Sequence, residues 1–225
     1  MTVLVALTVF TSRMTPAGAP QGAGPGYARA VLDLWRLALV GPGSLVLIFA
    51  GLTLGASGVG EEYAQGTLDF LLTRPRSRKY FVWTDWLTGV GTLLLMVALA
   101  VALSLANLAF IARSALTWRL LATIIPLFVI GAVNYSLTSF VTTLTKNVSS
   151  GLTYSLGLIL AAALLPVAVH AEWQVNLPSL ANLLEISKWA TTPGVHFPAL
   201  ATLGWCLIAL AFPLVTQFFF ERVEL

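Results

Sequence analysis

Between Asp85 and Arg113 the chain reads WLTGVGTLLLMVALAVALSLANLAFIA, residues 86–112, a run without a single Asp, Glu, Lys or Arg. A helix rises about 1.5 Å per residue, so roughly 20 such residues cross a hydrocarbon core of about 30 Å. Four more charge-free runs are long enough to do the same: Leu37–Gly60, Leu120–Thr145, Asn147–Ala171 and Phe197–Phe220. Within lipid every backbone N–H and C=O must be paired inside the protein, and uninterrupted runs of this length predict helices. A β-barrel would show short segments of alternating polarity instead.

Composition points the same way. Charged residues make up 9% of the 225 and hydrophobic ones 58%, where a soluble protein carries roughly 25% charge. Mean hydropathy is +0.88. Twelve Lys/Arg and nine Asp/Glu cannot cover a 24.0 kDa globule in water. The net charge of +3 therefore speaks for anchoring at an anionic bilayer face and not for nucleic acid. The single cysteine, Cys206, lies inside an apolar run, which leaves neither a disulfide framework nor a Cys-based metal site.

Met1–Phe10 is a sixth apolar run, but ten residues reach only about 15 Å. It lacks the basic n-region of a secretory signal and reads as the second half of a membrane helix that starts upstream. The expected architecture is one all-α integral membrane domain over residues 1–225, with five complete spans and a truncated first. Thr11–Gly26 is rich in Pro and Gly and predicts a linker. Tyr27–Arg36 alternates apolar and charged residues, as a short interfacial helix would. Residues 172–196 form a long outer loop, in which Leu180, Leu183, Leu184 and Trp189 can lay one helical side on the membrane surface. Trp35, Trp83, Trp86, Trp118, Trp173 and Trp189 flank spans or sit in loops, the placement of an aromatic belt.

The segment after the Leu37–Gly60 run is different. EEYAQGTLDFLLTRPRSRK, residues 61–79, holds seven of the 21 charged residues. Thr67 can cap a short helix, with Asp69 favourable at its positive end. Leu68, Leu71 and Leu72 fall on one side at helical spacing, and Tyr63 can join them. Pro75 disfavours helix at Arg74 and ends it. Ser77 can cap the next helix, which enters the membrane with Arg78 and Lys79 at the headgroups. Two readings fit: a rigid lever that passes force from a soluble partner, or a connector lying on the headgroups. Counting cations on the two sides of the membrane gives a tie of six against six, but Arg74, Arg76, Arg78 and Lys79 crowd into six residues. That density puts residues 61–79 on the cytoplasmic face.

Residues 60–78 resemble the segment after the second span of ABC-2-type transporter permeases: an acidic pair, then Gly-Thr-Leu, then Leu-Leu, then a Pro-x-Ser-Arg turn. The ending Phe220-Glu221-Arg222-Val223-Glu224-Leu225 also resembles that family's charged terminus. The resemblance implies a six-helix permease half in the bacterial cytoplasmic membrane, with a cytoplasmic coupling helix at about residues 61–74 between the second and third spans. It implies that Glu61, Glu62, Gly66, Thr67, Leu68, Leu71, Leu72, Pro75 and Arg78 engage a separate ABC ATPase subunit. The working exporter would contain two ATPases and a second permease half, either a copy or a relative. The elbow helix that precedes the family's first span has no counterpart here.

The chain carries no engine of its own. A phosphate-cradling loop needs Gly-Lys-Ser/Thr, and neither Lys79, Lys146 nor Lys188 follows a glycine. ATP and Mg are thus expected on the partner ATPase, with no cofactor and no catalytic residue here. The five runs lack the ionisable groups that ion-driven carriers use, with Asp85 at the edge of one of them. Two other classes compete. Gly55-Ala56-Ser57-Gly58 matches an intramembrane serine-protease motif, but such an enzyme needs a histidine beside Ser57, and His170 and His196 are expected at the far side. A non-transporting scaffold is the third. Gly51 and Gly55 make a G-x-x-x-G that favours close helix packing. Asn134, Tyr135, Thr138 and Thr142, with Gly131 and Thr145 nearby, form a polar side that lines either a pathway or a helix interface. His170 and His196 lack companions for a metal. Asn147-Val148-Ser149 fits a glycosylation sequon on the presumed cytoplasmic face and reads as chance. Family members move lipids, polysaccharides, peptides, drugs or ions, and no pattern in this chain selects among them.

Overall fold

The computed structural model describes residues 25–58, 61–62, 65–66, 78–111, 118–173, 189, 196 and 199–222. The partial apolar run Met1–Phe10, the Thr11–Gly24 part of the linker and most of residues 174–195 lie outside that set. The described residues are almost entirely helical and contain no strand. In order they are α1 (Pro25–Ala38), a π turn (Leu39–Gly43), α2 (Ser44–Ala56), α3 (Arg78–Ile111), a 3-10 segment (Trp118–Thr123), α4 (Ile124–Thr145), α5 (Val148–Trp173) and α6 (Ala199–Arg222). Five helical runs are long and apolar enough to span: Ala30–Ala56, Lys79–Phe110, Arg119–Thr145, Val148–Ala171 and Ala199–Phe219.

The first span differs from expectation. Tyr27–Arg36 is not a separate surface helix; α1 runs through the π turn into α2 as one helical path. Pro42 lacks the N–H that an unbroken α-helix needs, and the wider turn absorbs that loss. Ser44 Oγ donates to the Gly41 carbonyl at 2.9 Å, which satisfies one acceptor there. Asp33 and Arg36 in this stretch pair with each other, Arg36 Nη1 to Asp33 Oδ1 at 4.0 Å. Val31 and Trp35 are meanwhile buried against Val97, Val101, Leu108, Leu120 and Leu127.

At the centre stands α4. It touches α2, α3, α5 and α6 and is the one span that is mostly buried. Its close approach to α2 follows from the glycines. A β-carbon at Gly51 would stand 2.7 Å from the Gly131 carbonyl oxygen, and one at Gly55 2.5 Å from that of Tyr135. Only hydrogen on those α-carbons lets the two backbones meet, which is how membrane helices gain contact when lipid offers no hydrophobic drive. Further along, Lys146 takes a left-handed conformation (φ 51°) and Asn147 Oδ1 accepts from the amides of Ser149 and Ser150 at 2.9 and 3.2 Å. This cap starts α5 after a two-residue turn and makes α4 and α5 antiparallel neighbours. Phe140 of α4 meets Phe212 and Phe219 of α6 at centroid distances of 5.9 and 6.0 Å.

The outer surfaces are greasy. Leu158, Leu160, Leu164 and Leu165 of α5 and Leu203, Leu207 and Leu214 of α6 are exposed. In water such a surface would aggregate; facing acyl chains it costs nothing. The molecule is a multi-pass helical membrane protein.

Candidate functional site

Among the described residues, side-chain hydrogen bonds join the spans at the end where α2 stops and α3 starts. The hydroxyl of Tyr135 on α4 donates to Asp85 on α3, 3.0 Å from the main-chain oxygen and 3.3 Å from Oδ2. One residue on, Trp86 Nε1 donates to Ser136 Oγ at 2.8 Å. One turn back, Trp83 Nε1 donates to Gln217 Oε1 of α6 at 2.9 Å. The two indoles meet edge-to-face, with centroids 5.6 Å apart. A narrow cleft opens here, lined by Asp85, Trp86, Ser136, Ser139, Pro213 and Thr216. Trp83 and Trp86 are therefore clasps between helices and not simply members of an aromatic belt.

Asp85 also differs from the sequence reading. It is the eighth residue of a 34-residue helix, two turns inside it and not at its edge. A helix of that length runs to about 51 Å, well beyond the hydrocarbon thickness. A charge-free window starts only after the last charged residue near the helix's beginning, so the run begins at Trp86.

The polar side of α4 is sealed. Asn134, Tyr135, Thr138 and Thr142 are all buried. The threonine hydroxyls satisfy themselves along their own helix: Thr138 donates to Asn134 O and Thr142 to Thr138 O, both at 2.8 Å. Thr142 reaches across only at 3.4 Å, to the Gly55 carbonyl. Asn134 Nδ2 donates to Ile130 O at 2.7 Å, while its Oδ1 is buried without a partner. Tyr135 is the member that bonds firmly to another helix. Its ring fills the space above Gly89, where a β-carbon would collide with it.

The connector begins at this same end. Gly58 packs directly on the Asp85 carboxylate; a β-carbon there would stand 2.5 Å from Oδ2. The Gly58 carbonyl accepts from the amides of Glu61 and Glu62 at 3.0 and 3.4 Å. Both glutamates are helical and half-buried, and Gln65 Nε2 donates to Glu61 Oε1 at 2.9 Å. Gly66 is exposed with φ +68°, a conformation that glycine adopts freely and that ends a helical turn. Of the residues matched by the resemblance, Thr67, Leu68, Leu71, Leu72 and Pro75 lie outside the described residues. Arg78 opens α3.

The other candidate chemistries find no support in the described geometry. Ser57 Oγ donates to the Leu54 carbonyl at 3.0 Å. His170 lies 22 residues beyond the start of α5, about 33 Å along its axis from the end where α2 stops. No group of three or more His, Cys, Asp or Glu that could hold a metal occurs among the described residues. At the opposite end of the bundle, Arg119 at the start of the third span lies over the Trp189 ring at 5.5 Å.

These features define a class, a polytopic helical bundle latched by polar contacts where its charged connector leaves. Residues 29–220 match the family described as "Protein of unknown function (DUF2705)", and the chain belongs to it. No curated protein and no solved structure matches the chain.

Proposed function

We propose that this chain is the membrane-spanning permease subunit of an ATP-binding-cassette exporter in the bacterial cytoplasmic membrane. A separate ATPase docks on the connector that begins at Glu61, and a second permease half completes the transporter. One observation carries the reading: the acidic pair Glu61–Glu62, matched by the ABC-2 resemblance, sits just beyond α2 on a half-exposed turn rooted at Gly58. The later part of the connector has the cations and leucines of a headgroup anchor, but the acidic pair at its start does not suit one. A carboxylate pair next to an anionic surface is unfavourable unless a basic partner surface meets it.

In this reading the connector is the docking element, ATP and Mg bind the partner, and the bundle supplies the route. The substrate crosses where the bundle and its second half meet, and hydrolysis on the partner moves the connector. Purification of the full chain from native membranes tests this. The expected result is a co-purifying ATPase whose hydrolysis is stimulated by the chain, with the stimulation lost in Glu61→Lys/Glu62→Lys. Unchanged stimulation in that double variant overturns the role given to the acidic pair.

A further inference from the structure

Three contacts in series join the connector to the middle of the bundle. The amides of Glu61 and Glu62 hold the Gly58 carbonyl. Gly58 rests on the Asp85 carboxylate. Asp85 holds the Tyr135 hydroxyl. Tyr135 in turn sits where three helices meet, with its ring against Gly89 of α3 and its main-chain oxygen against Gly55 of α2.

We propose that Asp85 is a positioning residue that transmits the connector's placement to α4 through Tyr135. Resting on the permease reading of the connector, the proposal names the internal path by which its motion would reach the polar side of α4. The physical case is the directional character of the contacts at the connector end. At the end away from the connector, α1, α3 and α4 meet through Val31, Trp35, Val101, Leu108 and Leu127. Apolar contacts of that kind are non-directional and gain little over lipid, so small sliding motions are tolerated. At the connector end, hydrogen bonds from Trp83, Trp86 and Tyr135 set distance and angle. Such contacts are either made or broken. Motion at Glu61 therefore reaches α4 as a discrete event, the making or loss of the bond between Tyr135 and the Asp85 carboxylate.

Gly58 supplies a test independent of the polar chemistry. A methyl group there would strike the Asp85 carboxylate and displace it, so Gly58→Ala should break the 3.3 Å bond from Tyr135 to Oδ2 and leave the 3.0 Å bond to the main-chain oxygen. The two changes should also fail to add, because they interrupt one path. The experiment uses the full chain in lipid nanodiscs without any ATPase. Nitroxides at Gln65→Cys and Leu144→Cys, in a Cys206→Ser background, report the distance between connector and α4. The expected result is one narrow distance peak for the parent and a broad, shifted distribution for Tyr135→Phe and for Gly58→Ala. Their double variant should look like Tyr135→Phe alone, which already removes both bonds. Tyr135→Phe removes one oxygen atom and keeps the ring, so it leaves the packing against Gly89 in place. An unchanged peak in Tyr135→Phe overturns the proposal, and so does a double variant broadened by the sum of the two. Neither result touches ATPase docking, which rests on co-purification.

Discussion

Tyr135 and Asp85, fifty residues apart in sequence, share one hydrogen between the phenol of α4 and two acceptors on α3, at 3.0 and 3.3 Å. Removing that hydroxyl by Tyr135→Phe should lower stability by about 1 kcal/mol, the usual scale for a hydrogen bond between membrane helices. Gly89→Ala drives a methyl into the ring and should cost about 1–3 kcal/mol by overpacking. Detergent-titration unfolding of both variants checks the order; an alanine at Gly89 that is silent would mean that the ring does not fill that notch.

The seam between α2 and α4 makes a sharper contrast. Gly55→Ala places a β-carbon 2.5 Å from the Tyr135 carbonyl oxygen, whereas nothing lies within 4 Å of a β-carbon at Gly204. The first variant should lose about 1–3 kcal/mol. The second should be neutral or slightly stabilised, since alanine favours helix. Equal effects at the two positions would contradict the packing described.

Trp83 and Gln217 tie α3 to α6. A double-mutant cycle with Trp83→Phe and Gln217→Leu should give a coupling energy of about 0.6 kcal/mol, and at most about 1.7. A cycle that closes to zero would return Trp83 to the role of an interfacial anchor.

Asn147 caps α5 through two backbone amides. Asn147→Ala should cost about 1 kcal/mol, and Asn147→Asp should retain most of it. The ordering Asn, Asp, then Ala in thermal unfolding is the check.

Much of this fold is written in runs without charge. Leu120–Thr145, Asn147–Ala171 and Phe197–Phe220 match the third, fourth and fifth spans to within a few residues, because lipid penalises any charge in their middle. The pair Gly51 and Gly55 likewise marked a packing seam in advance, since small residues at helical spacing have few other uses there. The same criterion hid the ends of the first two spans. Asp33 and Arg36 neutralise each other on one helical face, and Asp85 gains a phenol from α4, so both spans begin before their charge-free runs do. The clasp itself was not legible. Asp85 is distant in sequence from Tyr135 and Trp86 from Ser136, and nothing in either local pattern says which face meets which. Asn147 carried a usable signal, an Asn immediately before an apolar helical run, that the sequon obscured. Residues 67–77, which hold most of the motif behind the resemblance, lie outside the described part of the molecule.

What the connector touches in the cell is the central matter. Gln65 is exposed and one residue before the turn at Gly66, so a photoreactive benzoylphenylalanine placed there faces any docked partner. Irradiation of native membranes followed by mass spectrometry should yield an adduct with an ATP-binding-cassette ATPase, lost in Glu61→Lys/Glu62→Lys. Adducts with lipid alone, in cells that express such an ATPase, would contradict the account.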